Sequence, residues 1–314
     1  MKLRTLGKSG LKVSAVGLGC NNFGGRCDLE ATRAVIDKAF DLGITLFDTA
    51  DVYGERGGSE TLMGQVMGPR RKDIVLATKF CMEMNAAGTL KGGSRRYIMQ
   101  AVEASLTRLR TDYIDLYQIH RPDPETPVEE TLRALDDLVR QGKVRYIGCS
   151  NYAPWQVVEA QWTSKANNLN AFVSAQDEYS LLVRGLEKEQ ATVLKEYGLG
   201  LLPYFPLASG FLTGKYRRNR PLPEGARLTG TPRLALRYMS DNNWGTVEAL
   251  ADFVAARGRT MLDLAFSWLL ARPGVSSVIA GATRPEQLAE NVKAAEWALS
   301  AEDKAEIDRL APLV

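Results

Sequence analysis

Short apolar runs alternate along the chain with segments in which apolar residues recur every three or four positions. The runs predict buried strands, and the spaced segments predict helices that bury one face. Strands are expected at residues 16–18, 44–47, 74–78, 114–119, 144–148, 172–176, 199–204 and 277–280. Helices are expected between them, and three have proline start signals, at Pro127, Pro154 and Pro285.

This alternation is typical of an α/β fold with a parallel sheet. Eight strands, each followed by a helix, favour a (β/α)8 TIM barrel over an open doubly wound sheet. Periodicity alone does not show closure, so the open sheet stays as an alternative. An N-terminal β-hairpin is expected, with strands at residues 3–6 and 13–16. No composition break divides residues 1–314, which are predicted to form a single domain.

The alternation lapses in one long loop after strand 7. Residues 210–244 show no clear periodic element, and connections of this length are usually functional or disordered. The segment is basic, with only Glu224 as an acid before Asp241, and its cations are Lys215, Arg217, Arg218, Arg220, Arg227, Arg233 and Arg237. A solvated loop fits this composition. So does a flap over an anionic ligand, because arginine forks suit phosphate geometry.

Composition narrows the class of protein. A formal charge of +3, from 40 basic and 37 acidic residues, is too small to indicate nucleic acid or an anionic membrane as a partner. Four separated cysteines without a C-x-x-C pair disfavour a zinc knuckle or a disulfide scaffold. No apolar signal-peptide core or membrane-spanning stretch of ~20 residues is present. We expect a cytoplasmic protein, and the oligomeric state stays open.

Polar residues stand where three predicted strands stop. The strand at 44–47 stops at Asp48, the next at Lys79, and the strand at 114–119 at His120, the only histidine in the chain. Tyr53 follows Asp48 by five residues. Because parallel strands bury their middles and end together, these four side chains are predicted to meet at one rim.

These four residue types suit proton transfer to a carbonyl oxygen. A free tyrosine has a pKa near ~10, which a nearby ammonium lowers, while a carboxylate keeps the ammonium charged. An imidazole beside the phenol can orient the carbonyl oxygen. No side chain supplies hydride, so reduction requires a nicotinamide cofactor.

Each residue also has a structural interpretation when taken singly. Asp48 suits a turn cap, Tyr53 suits rim packing, and His120 suits a hydrogen-bonded core residue. Lys79 fits such an interpretation least, since a lysine directly after a buried strand rarely reaches water. No P-loop or complete dinucleotide fingerprint occurs, and one histidine leaves no multi-histidine metal site.

Several segments resemble motifs of the aldo-keto reductases, a family of barrel-shaped NADPH-dependent oxidoreductases. The matching segments are residues 48–54, 57–60, 116–120, 142–151, 204–215 and 281–291, together with Lys79. They span essentially the whole chain and look closest to the bacterial and potassium-channel-β-subunit-like branches. The resemblance implies that Asp48, Tyr53, Lys79 and His120 form the catalytic tetrad, with Tyr53 as proton donor.

The resemblance also implies a site for NADP(H). At the nicotinamide, the carboxamide is expected to contact Ser150, Asn151 and Gln176, and the ring to contact Tyr204. The residues expected along the pyrophosphate are Leu207, Ser209, Gly210, Lys215 and Arg227. Those expected at the adenosine end are Gly281, Thr283, Gln287, Glu290 and Asn291. The mammalian branch has a lysine and an arginine for the 2′-phosphate where this chain has Gly281 and Gln287, and we expect Arg284 to compensate.

The sequence therefore predicts reversible, NADPH-dependent reduction of a small aldehyde or ketone to an alcohol. Substrate choice is expected in the loops at 21–23, 80–84 and 210–244 and at Arg121. One alternative is a barrel aldolase in which Lys79 forms a Schiff base. Another is a non-catalytic, cofactor-sensing subunit of the potassium-channel type. The intact His120 argues against that alternative, because those subunits replace this residue.

Overall fold

The computed structural model describes residues 1–313 and is built around a closed parallel sheet. Its strands are β1 (Leu3–Thr5), β2 (Lys12–Ser14), β3 (Val16–Gly19), β4 (Leu46–Asp48), β5 (Val75–Phe80), β6 (Ile114–Ile119), β7 (Val144–Ser150), β8 (Ser174–Gln176), β9 (Gly200–Leu201) and β10 (Val278–Gly281). β1 and β2 form an antiparallel hairpin, and β3 to β10 form the eight-stranded sheet, in which β10 pairs with β3. Ser276 N donates to Leu201 O at 2.9 Å, which closes the ring between β9 and β10. The predicted TIM barrel and its N-terminal hairpin are confirmed.

Helices surround the sheet. They are α1 (Leu29–Asp41), α2 (Tyr53–Met67), α3 (Arg95–Leu109), α4 (Val128–Arg140), α5 (Pro154–Ala166), α6 (Gln190–Tyr197), α7 (Pro232–Tyr238), α8 (Asp241–Ala255), α9 (Met261–Leu270), α10 (Pro285–Ala294) and α11 (Ala301–Leu310). The predicted proline start signals are confirmed, since α4 follows Pro127 and α5 and α10 begin at Pro154 and Pro285. Within residues 1–313, none of these helices has the length and apolarity that a bilayer crossing requires.

The hairpin fills the end of the barrel where the strands begin. Leu6 and Val13 pack into one apolar cluster with side chains from the barrel interior, namely Leu46, Val75, Ala77, Leu116, Leu202 and Ile279. Gly7 has a φ of +58°, and a Cβ there would lie 2.4 Å from Gly198 O. Only glycine therefore lets the hairpin turn approach the barrel this closely. This apolar cluster occupies the end of the barrel where the strands begin. The polar side chains lie at the opposite rim, where the strands end.

The expectation of no regular element between residues 210 and 244 is wrong for part of that segment. A 3-10 helix spans Ala208–Thr213, α7 lies within the segment, and α8 starts at Asp241. α7 has only seven residues, which is too short for an apolar period to show. Its C-terminal end is tied to the barrel, because both Arg237 and the Tyr238 hydroxyl bond to Glu178.

Two predicted strands are shorter than expected. The strand predicted at 172–176 begins only at Ser174, as β8. The strand predicted at 199–204 is confined to the two residues of β9. Pro203 has no N–H to donate, which limits the ladder beyond β9. The chain nevertheless continues along the sheet, since Ile279 N donates to Pro203 O at 3.2 Å.

Candidate active site

A buried ion pair joins two neighbouring strands at the C-terminal rim of the barrel. Asp48 ends β4, and Lys79 lies near the end of β5. Lys79 Nζ donates to Asp48 Oδ2 at 2.7 Å and to Thr49 O at 2.8 Å. Burial lowers the pKa of Lys79, but the Asp48 carboxylate and Tyr53 more than offset this, and the net pKa is raised. The lysine is therefore held as an ammonium.

Tyr53 and His120 lie beside this pair. Their ring centroids are 5.6 Å apart in an edge-on arrangement, and Lys79 Nζ lies 5.1 Å from the Tyr53 centroid. Burial raises the pKa of Tyr53, and the opposing charge of Lys79 does not cancel the effect. Lys79 lowers the pKa of the phenol, as the sequence suggested, but desolvation of the phenolate outweighs the ammonium, so the net pKa lies above the ordinary tyrosine value and not below it.

The His120 imidazole is neutral across the physiological range. Burial, together with the charges of Lys79 and Arg121, lowers its pKa to about 3. Its Nδ1 is buried and has no hydrogen-bond partner among the described residues. A neutral ring can orient a substrate oxygen without adding charge to the site.

A left-handed turn follows Tyr53, and hydrogen bonds of Ser59 and Glu60 anchor it to the barrel. Residues 54–57 have φ between 59° and 118°, and two of them are not glycine. The Ser59 hydroxyl donates to Cys20 O at 2.8 Å. Glu60 accepts hydrogen bonds from Thr78 at 2.5 Å and from Arg108 at 2.7 Å. These contacts hold a backbone that would otherwise relax, and so they fix the start of α2 and the position of Tyr53.

One cavity of about 930 Å³ opens at this rim. Asp48, Tyr53 and His120 line one part of its wall, whereas Lys79 is completely buried and outside that wall. Every residue that the resemblance assigns to the cofactor also lines it: Ser150, Asn151, Gln176, Tyr204, Leu207, Ser209, Gly210, Lys215, Arg227, Gly281, Thr283, Arg284, Gln287, Glu290 and Asn291. The structure therefore brings the two predicted sets together in a single space.

The residues expected at the nicotinamide are hydrogen-bonded to one another and to the rim. Gln176 Nε2 donates to Asp48 Oδ1 at 2.9 Å. Asn151 Nδ2 donates to His120 O at 3.0 Å, and the Tyr204 hydroxyl donates to Asn151 Oδ1 at 2.7 Å. A ligand amide bound here would therefore touch side chains that are already fixed in place.

The part of the cavity under the 210–244 segment is predominantly positive, since Arg26, Lys215 and Arg227 line it against one acid, Glu224. Burial lowers the pKa of Lys215 and of Arg227, and the charge of Arg26 lowers both further. No carboxylate within the described residues forms an ion pair with these cations. Arg26 Nη2 also donates to Gly225 O at 3.3 Å, which links the loop after β3 to the 210–244 segment. Cations left without a partner at a cavity wall are suited to an anionic ligand such as a pyrophosphate.

Sequence reasoning missed two residues of this site. Arg26 follows the 21–23 loop, where the sequence pointed only to substrate choice. Gln118 lies in the apolar run of β6, and its side chain donates to Asp48 Oδ1 at 3.2 Å. The alternation of a strand places residues 118 and 120 on the same face, so the position of Gln118 two residues before His120 was the available signal.

Comparison with known proteins identifies the family. The family model for the aldo/keto reductases matches residues 15–312. The chain belongs to the aldo/keto reductase family. This family is one of oxidoreductases that generally bind NAD(P)H, so the predicted oxidoreductase class is confirmed.

The chain is similar to relatives with two kinds of name. A protein of Oryza sativa subsp. japonica named "Probable voltage-gated potassium channel subunit beta" is 38% identical over 300 residues, or 94% of this chain and 91% of its own length. A "Putative voltage-gated potassium channel subunit beta" of Schizosaccharomyces pombe is 38% identical over 325 residues, or 98% and 90%. The "L-glyceraldehyde 3-phosphate reductase" of Escherichia coli K12 is 36% identical over 323 residues, or 98% and 92%. The predicted resemblance to bacterial and channel-subunit-like branches is confirmed.

Proposed function

We propose that the protein reduces an aldehyde or ketone to an alcohol with NADPH, and that the reaction is reversible. The observation that carries this proposal is the meeting of the Asp48–Lys79 pair, Tyr53 and His120 at one end of the cavity. The wall of the same cavity continues through amide, cationic and hydroxyl side chains that suit the three parts of a dinucleotide. This order suits a reaction in which hydride and proton must converge on one carbonyl group.

The four rim residues divide the acid–base work. NADPH, when bound, supplies hydride to the carbonyl carbon. The Tyr53 hydroxyl donates its proton to the carbonyl oxygen, which becomes far more basic than a phenolate as the alkoxide develops. Lys79 stabilises the phenolate that remains, and Asp48 keeps Lys79 charged. His120 orients the oxygen as a neutral ring.

Preference for NADPH over NADH is part of the proposal and rests on the start of α10. Arg284 is exposed at the N-terminal end of this ten-residue helix and lines the cavity. Thr283 N and Oγ1 both donate to Gln287 Oε1, which fixes the adjacent loop. A guanidinium at a helix N-terminus suits a 2′-phosphate.

The aldolase alternative fits the geometry poorly. A Schiff-base lysine must reach its substrate and lose its proton, yet Lys79 is 0% exposed and its Asp48 contact favours the ammonium. The regulatory alternative has support in the names of the plant and yeast relatives. A sensor and a reductase both bind the cofactor, so only turnover separates them.

The test is a fluorescence titration with NADPH and with NADH, followed by addition of 4-nitrobenzaldehyde to the NADPH complex. We expect tighter binding of NADPH and oxidation of the bound cofactor. Tight binding without turnover, repeated with glyceraldehyde 3-phosphate, would favour the sensor. Absence of binding would overturn the proposal.

A further inference from the structure

Asp48 has a third side-chain partner besides Lys79 and Gln176. Its Oδ2 is paired with Lys79, while its Oδ1 accepts from Gln176 Nε2 at 2.9 Å and from Gln118 Nε2 at 3.2 Å. Gln118 is 0% exposed. Only the NH2 group of a glutamine can face a carboxylate oxygen, so the orientation of this amide is fixed by its neighbour.

The carbonyl oxygen of the Gln118 amide shows that this contact has a cost in folding stability. Gln118 Oε1 is buried and has no hydrogen-bond partner within residues 1–313. An unsatisfied buried carbonyl oxygen destabilises a protein, and an aliphatic side chain of similar size would avoid the penalty. Packing alone therefore gives no reason for a glutamine here, whereas its donor to Asp48 does.

The neighbouring strand leaves room for this side chain. Gly148 on β7 lies opposite Gln118 in the sheet. A Cβ at Gly148 would lie 3.2 Å from Gln118 Cγ and 2.5 Å from the Ser174 hydroxyl. A larger residue at 148 would displace one of these two side chains, so Gly148 keeps room in the barrel interior for the side chains at 118 and 174.

We propose that Gln118 is a positioning residue that holds the Asp48 carboxylate so that its Oδ2 stays on Lys79. This inference rests on the proposed function. It assigns Gln118 a distinct task, because the carbonyl oxygen of Gln176 is expected to engage the cofactor carboxamide. Gln118 has no such second ligand, and it therefore restrains Asp48 whether or not the cofactor is bound.

Two substitutions of equal length separate positioning from space-filling. Gln118→Met keeps the volume and removes the donor. Gln118→Glu keeps a donor only while the introduced carboxyl is protonated, and two adjacent carboxyls share a proton until the pH rises. The other titratable groups around Asp48 are Lys79, Tyr53 and Cys20, with His120 near Lys79. Gly148, Ser174 and Gln176, from the strands beyond Gln118, do not titrate.

The experiment measures kcat and KM for 4-nitrobenzaldehyde with saturating NADPH at pH 6 and pH 9, with Ser174→Ala as the control. We expect Gln118→Met to lose about 10-fold in kcat at both pH values, while KM and cofactor affinity change less than about 2-fold. Gln118→Glu should stay within about 3-fold of wild type at pH 6 and fall at least about 10-fold at pH 9. Ser174→Ala, which removes a nearby buried hydroxyl that has no partner in the described part of the chain, should match wild type at both pH values.

The outcomes distinguish this inference from the proposed function. If the wild-type protein turns over, the positioning role alone would be overturned by either of two results. One is an unchanged kcat in Gln118→Met, and the other is a wild-type pH profile in Gln118→Glu. No turnover in wild type would overturn the proposed function and this inference with it. Thermal unfolding and NADPH titration verify that each variant is folded. If Gln118→Met does not fold, the pH profile of Gln118→Glu decides.

Discussion

Lys79 Nζ lies 2.7 Å from Asp48 Oδ2, and their side chains are 0% and 5% exposed. Two opposite charges buried together gain little stability over a well-packed apolar pair, but either charge alone is strongly destabilising. The pair is therefore coupled in folding as well as in the proposed chemistry. Stability and activity should respond differently to its removal.

We expect Lys79→Met to lower the free energy of unfolding by about 3–5 kcal/mol, because it leaves the Asp48 carboxylate without its partner. Asp48→Asn combined with Lys79→Met should recover most of that loss. Both variants should lack carbonyl reduction. Urea unfolding and NADPH oxidation measure the two effects. A double variant as unstable as Lys79→Met would show that uncompensated charge is not the cause.

Tyr53→Phe should reduce kcat by at least about 100-fold, because it removes the proton donor. Cofactor affinity should change less than about 2-fold, since the hydroxyl acts mainly in the transition state. Steady-state kinetics and NADPH fluorescence titration measure both. Tyr117→Phe is the matched control, because the Tyr117 hydroxyl is buried without a partner among residues 1–313. Parallel losses of binding and rate in Tyr53→Phe would exclude the proton-donor role.

Arg284→Ala should weaken NADPH binding about 10-fold and leave NADH binding nearly unchanged, because only NADPH carries a 2′-phosphate. Dissociation constants from fluorescence titration measure this. Arg259→Ala, which changes an exposed arginine outside the cavity wall, should alter neither constant. An unchanged ratio of the two constants in Arg284→Ala would clear this residue of the 2′-phosphate role.

The ring-proton NMR signals of His120 should not shift between pH 5 and pH 9, because its pKa is about 3. The unfolded chain binds this proton with a pKa near 6.5. Between those values the unfolded state holds more protons, so His120 destabilises the fold as pH falls through this window. His120→Gln should therefore lose less stability than wild type between about pH 6.5 and pH 4 in urea unfolding. An imidazole titration midpoint near 6.5 would contradict the buried, neutral ring.

The barrel and its rim residues were predictable because both follow from strand periodicity. Parallel strands end together, so the order of residues along the chain was enough to assign Asp48, Lys79 and His120, which follow separate strands, to one rim. The cofactor wall was inferred differently, through the family resemblance of segments such as 281–291. Spacing alone would not have joined those segments to the tetrad.

Other features depend on competition between effects that a sequence does not rank. The raised pKa of Tyr53 results from burial outweighing the nearby ammonium, and this balance depends on how tightly the phenol is packed. α7 was missed because two turns are too short for a period to appear. Gln118 was missed because a single polar residue in an apolar run looks like an exception, and its partner Asp48 lies 70 residues away.

The two ends of the barrel differ in composition. The hairpin and apolar side chains fill one end and stabilise the fold, whereas the charged side chains lie at the other end, where the candidate site is. Substitutions among rim loops leave the apolar half intact, so binding preference can diverge while the scaffold persists. Relatives of 36% and 38% identity carry names as different as an L-glyceraldehyde 3-phosphate reductase and a potassium channel subunit. For engineering, the same division directs new specificity to the exposed positions of the 210–244 segment, because its buried side chains, among them Phe211, Tyr216 and Tyr238, belong to the main core.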